Sequence, residues 1–111
     1  MKYILSVIAL FLTLSLSAQS SPKERAKKIA NNMTQVLDLD NKERKAIYRI
    51  QFDRFNESNE IKKQYATQPE VRKEKLNKLG SKVYNQLKDL LGPERLKKWR
   101  ESKKQFLKAK Q

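Results

Sequence analysis

The three prolines of this 111-residue chain, Pro22, Pro69 and Pro93, all stand where a helix can begin. Proline holds φ at about −65° and has no N–H to donate, which suits a first helical turn and disrupts a helix interior. Pro22 follows Ser21, a capping residue, and Glu24 sits three positions after that cap. Pro69 follows Thr67-Gln68, either of which can cap. Pro93 follows Gly92, and glycine suits the end of a preceding helix. A fourth start needs no proline. Asp40-Asn41-Lys42-Glu43 again places an acid three residues after a cap.

The segments opened by these starts carry helical periodicity, which predicts helices over about 22–37, 41–66, 69–91 and 93–108. Ala26, Ile29, Ala30, Met33, Val36 and Leu37 make the first apolar stripe. Ala46, Ile47, Ile50, Phe55, Ile61 and Tyr65 make the second, with Tyr48 and Phe52 beside it. Arg54 and Ser58 break that second stripe, so its middle is poorly suited to a closed core. Val71, Leu76, Leu79, Val83, Leu87, Leu90 and Leu91 form the cleanest stripe. Gly80 interrupts it, and a close helix–helix contact would explain a glycine there. Leu96, Trp99, Phe106 and Leu107 give a thinner fourth stripe, and the tail from Lys108 is expected to fray. With only two glycines and no strand or hairpin pattern, the fold class is all-α, about four helices in a small bundle or cradle-like arrangement.

Residues 1–18 read as a cleaved signal peptide, which leaves 19–111 as a single helical domain. Lys2 supplies the positive end, and no charge follows until after Leu16. Ser15-Leu16-Ser17-Ala18 offers small residues for cleavage after Ala18, with cleavage after Ser17 the near alternative. The apolar run of about 14 residues is shorter than the roughly 20 a spanning helix needs. No cysteine follows it to carry a lipid. The expected destination is periplasmic or secreted. Zero cysteines also means no disulfides, although that compartment permits them. A domain this small buries only a modest core, and pairing of two copies is a common remedy, so a homodimer is expected.

Catalytic chemistry finds little support. The chain has no histidine and no cysteine, the usual general base, nucleophile and soft-metal ligands. Asp53, Glu57 and Glu60 lie at helical spacing beside Lys62 and Lys63 and read as a solvated face. Asp38 to Glu43 superficially resembles a calcium loop. However, Lys42 stands where an oxygen ligand is needed and Glu43 where the turn glycine is needed, so it reads as a cap and connector. No catalytic, cofactor-binding or metal residue is assigned, and the chain is not read as an enzyme.

Charge is the loudest chemical feature. Losing Lys2 with the leader takes the net charge from +14 to +13. The segment from Arg95 onward holds Arg95, Lys97, Lys98, Arg100, Lys103, Lys104, Lys108 and Lys110 against a single acid, Glu101. In the cytoplasm this would suggest nucleic acid. An export signal argues against that and directs attention to anionic headgroups, acidic glycans, and acidic or unfolded proteins. Trp99 among these cations can turn into the core or, with Phe106 and Leu107, face a membrane surface. Charge runs of this kind are commonly just solvated. The candidate client or anion surface comprises Tyr48, Phe52 and Phe55 with Arg95, Lys97, Lys98, Trp99, Arg100, Lys103 and Lys104.

Two of the helix starts share a wording. Leu39-Asp40-Asn41-Lys42-Glu43 and Leu91-Gly92-Pro93-Glu94-Arg95 resemble the twin Leu-Thr-x-x-Gln motifs of the Spy/CpxP family of small periplasmic helical proteins. There the threonine caps a helix and the glutamine folds back onto it. Asp40 and Glu43 keep that capping chemistry, whereas Gly92 and Arg95 in the second copy do not. The layout is also similar across residues 22–104. The resemblance implies a four-helix, cradle-shaped homodimer. Its chaperone members hold unfolded clients without ATP on a basic concave face with apolar patches. Other members are stress-signalling inhibitors or metal sensors, and the metal branch uses histidines that this chain lacks. The expected function is therefore an ATP-independent periplasmic chaperone or envelope-stress protein. The alternative is an adaptor that binds anionic membrane or glycan surfaces through the basic C-terminal helix.

Overall fold

The structure, a computed structural model, describes residues 21–110, with side chains to residue 104. The signal-peptide reading of residues 1–18 lies outside the described residues, as do the side chains of Phe106 and Leu107. Four helices follow in order: α1 (Pro22–Leu37), α2 (Asn41–Gln64), α3 (Pro69–Leu91) and α4 (Pro93–Lys110). The fold is all-α. Helix α4 extends to Lys110, two residues past the expected end at 108.

The helix boundaries follow from local chemistry. Ser21 Oγ accepts the Glu24 N–H at 3.2 Å and caps α1. Asp38 ends α1 in the left-handed region at φ 53°, a conformation Asp tolerates better than most residues. The segment that resembles a calcium loop is therefore a helix stop followed directly by a helix start. At that start, Asp40 Oδ1 accepts the Glu43 N–H at 2.8 Å and Glu43 Oε1 accepts the Asp40 N–H at 3.3 Å. This is a complete capping box. Helix α2 stops at Gln64, short of the expected Ala66. Pro69 disfavours the helical region for the residue before it, and Gln68 sits outside that region at φ −126°, ψ 78°.

The helices pack as a ring. Helix α1 lies against α2, α2 against α3, and α4 touches both α3 and α1. Among the described residues no close backbone approach joins α1 to α3 or α2 to α4. Helix α1 buries about one residue per turn, and the longer helices bury fewer. The buried apolar residues are Ala26, Ala30, Met33 and Leu37 on α1, and Ile47 and Phe55 on α2. Leu79, Val83, Leu87 and Leu91 do the same on α3, and Leu39 and Leu96 close the end where α4 begins. Helix α1 is 16 residues long and α2 is 24, so α1 covers only the first part of its neighbour. No residue from 56 to 78 is buried. The far end of the α2–α3 hairpin is thus a two-helix protrusion without a third layer.

Met33 has no solvent exposure and sits in the middle of the core cluster. Met33→Ala should lower stability by about 2–5 kcal/mol, the range for emptying a buried site of this size. Leu76→Ala, in the half-buried protrusion, should cost markedly less. Urea unfolding followed by helical circular dichroism measures both.

Candidate functional site

The two sequence motifs meet in space. Glu43 uses Oε1 in the capping box, and its Oε2 accepts from Arg95 Nη2 at 2.7 Å. Arg95 Nε donates at the same time to the Leu91 carbonyl at 2.9 Å, satisfying a C-terminal acceptor of α3. Leu39, Leu91 and Leu96 are buried as part of the core. Between the motifs' polar halves, Gly92 turns the chain at φ 83°, ψ 160°, a region open almost only to glycine. Pro93 and Glu94 are exposed and open α4, with Glu94 placing an acid in the first turn. The second motif is therefore a corner rather than a side-chain cap. Its arginine closes onto the first motif.

This geometry corrects the surface role expected of Arg95. Its guanidinium is committed to an ion pair and a backbone carbonyl, so it is a structural tie rather than a free anion contact. The hydrogen bond from Arg95 is the main cause that holds the Glu43 carboxyl below its ordinary value of 4.5, and the Asp40 N–H adds to it. The reciprocal bond from Glu43 raises the Arg95 guanidinium above its usual range.

Phe55 is a second correction. It is buried at 7 % exposure because Arg25 of α1 lies over its ring at 4.0 Å, with Arg54 at 5.7 Å. These guanidinium stems cover the apolar surface that the broken stripe left open. Tyr48 and Phe52, by contrast, are half-buried and stack on each other with centroids 6.0 Å apart. They border an open groove between α2 and α3 with Ile50 and Leu90, flanked by Lys45, Arg49 and Asp53.

A deeper feature lies between α1, α3 and α4, where α1 and α3 do not meet. It is an open cleft of about 550 Å³. Val83, Leu87 and Leu96 supply its apolar lining, and Trp99 and Tyr84 stand at its sides. Gln51 is the one buried polar side chain among the described residues, and it also lines the cleft. It accepts from Arg54 Nη1 at 3.3 Å and so tethers that guanidinium at the rim. Arg100 lies 5.7 Å from the Tyr84 ring, and Lys103 lies 5.9 Å from the Trp99 ring. Gly80 opens on this cleft, and a Cβ built there would meet nothing within 4 Å. The close helix contact expected at Gly80 is absent.

The predicted residues thus separate into groups. Leu39, Asp40, Glu43, Leu91, Gly92 and Arg95 form one joint. Trp99, Arg100 and Lys103 belong to the cleft. Lys97, Lys98 and Lys104 are exposed on α4 away from it. Because Leu96 is buried and Trp99 faces the cleft, residues 93–104 of α4 keep no large apolar side chain outward for membrane insertion. Gln51 and Tyr84 were not singled out from sequence, Tyr84 being the exposed large apolar side chain at 42 % among the described residues, and Ile29 and Gly80 were read only as positions along the apolar stripes. Gly80 and Tyr84 are four apart on α3, so they share one face beside the buried stripe. That spacing was the available signal. Comparison with family models, with curated proteins and with solved structures finds no match to this chain.

The joint sets a pH dependence. Glu43 has a depressed folded-state value, so its contribution is fully present above its unfolded value near 4.5 and is lost as pH falls through the lower folded value. Melting temperature measured from pH 6 down to pH 3 should therefore decline more steeply in the natural protein than in Glu43→Gln. Parallel curves would show that the Arg95 contact adds no stability.

Proposed function

We propose that this chain is an exported, non-enzymatic binding protein that holds unfolded or anionic clients outside the cytoplasm without ATP. The carrying observation is the half-buried Tyr48–Phe52 stack beside the groove to Ile50 and Leu90. It lies on a molecule whose net charge after loss of the leader is +13. Long-range attraction speeds encounter with acidic or unfolded chains. A modest apolar patch then gives adhesion that is weak enough to reverse. Lys45 and Arg49 flank the patch, and Lys97, Lys98 and Lys104 extend the positive field along α4.

The likeness to the Spy/CpxP motifs supports an envelope-stress role of the chaperone kind. The joined motifs support it in the same sense, since they act together as one structural unit. Pairing of two copies belongs to the proposal, as the small core and the uncovered α2–α3 protrusion favour it. The adaptor alternative retains its electrostatic half through the exposed lysines of α4, while Leu96 and Trp99 of that helix are engaged within the bundle.

The test adds the purified protein to an aggregating client and follows light scattering at low and at high salt. Suppression at low salt that weakens as salt rises is the expected result. The Tyr48→Ser/Phe52→Ser double variant should lose most of it while keeping its helical signal. Unchanged scattering at molar excess removes the chaperone reading.

A further inference from the structure

The cleft between α1, α3 and α4 has a lining that the client-holding role does not use. Its volume of about 550 Å³ falls within the roughly 300–1,000 Å³ of small-molecule sites. Four cations line it, Lys28 from α1, Arg54 from α2, and Arg100 and Lys103 from α4. Not one carboxylate stands among its lining residues, although the chain carries 12 acidic residues. The lower lining is hydrocarbon: Val83, Leu87 and Leu96 are each at least nine-tenths buried. Positive charge at the rim over an apolar floor is the complement of a negative head on an apolar tail.

We propose that this cleft binds one molecule of a single-chain anionic amphiphile of the long-chain carboxylate class. The acyl chain lies along Val83, Leu87 and Leu96, and the head meets Arg100 and Lys103. A cleft of about 550 Å³ has room for one acyl chain. Arg54 is held at the rim by Gln51, so that cation is positioned before any ligand arrives. The aromatic faces of Tyr84 and Trp99 support the α4 cations in the same way. Gly80 lines the cleft, and a side chain there would meet no atom within 4 Å of its Cβ. The site is separate from the Tyr48–Phe52 face, so the outcome of the aggregation assay does not decide it.

Trp99 is the chain's only tryptophan and lines the cleft, which makes its emission a direct reporter. The protein is titrated with laurate below micelle-forming concentrations, with acetate, and with dodecyltrimethylammonium. Isothermal calorimetry runs in parallel. Laurate should shift Trp99 emission to the blue, saturate at one per chain, and weaken as salt is added. Acetate should not bind, because it lacks the chain. The cationic amphiphile of equal length should bind at least about tenfold more weakly, equivalent to about 1.4 kcal/mol. Arg100→Gln/Lys103→Gln should weaken laurate by about tenfold or more with the fold intact. Gly80→Leu, which places a side chain into open space and favours the helix, should also weaken it. Absence of both an emission shift and a heat signal overturns the proposal. Equal binding of the cationic amphiphile, or undiminished laurate binding in a folded Gly80→Leu, overturns it as well.

Discussion

The contact between the Glu43 carboxylate and the Arg95 guanidinium decides where α4 lies. It joins the corner at Gly92, where α3 passes into α4, to the start of α2. Each partner is already bound locally, Glu43 to the Asp40 N–H and Arg95 to the Leu91 carbonyl. Neither side chain is therefore ordered for the ion pair alone, which lowers the entropic cost of forming it. Charge-assisted hydrogen bonds of this length are stronger than neutral ones. Among the described residues the other ion pair between helices, Glu57 with Lys82, joins α2 to α3 and is largely exposed, so it contributes little.

Placement of α4 then determines the cleft. Helices α1 and α3 do not approach each other closely, and α4 bridges the gap through Leu96 and Trp99. Burial of one side chain per turn at most leaves little apolar area to set helix angles by packing alone. A polar tie at the corner supplies the missing specification. The same narrow stripes leave Phe52 and Tyr84 outside the core and Tyr48 only partly buried against it. Stability and exposed binding surface thus have one origin, in helices whose apolar faces are too thin to close.

The helices were legible in the sequence because their limits are written in local chemistry. Ser21, Asp40 with Glu43, and the three prolines act within a few residues of their own position, so spacing suffices to read them. The pairing of the motifs was not legible. Arg95 looked like a lost capping glutamine, and its partner lies 52 residues away. Phe55 looked exposed because Arg54 breaks its stripe, yet Arg25 from another helix covers it. Gln51 reads as a surface residue by type and is buried beside the cleft. Gly80 suggested a close helix contact and instead leaves an opening. Each of these depends on which helix becomes the neighbour, and periodicity along one helix carries no such information.

A double-mutant cycle on Glu43 and Arg95 tests the central claim most directly. Glu43→Gln, Arg95→Gln and the combined variant are compared with the natural protein by thermal unfolding at neutral pH. If this contact ties the two motifs together, each single variant is less stable, and the double variant loses clearly less than the two losses combined. Additive losses within error would contradict the account, since the two side chains would then act independently at their own helix ends.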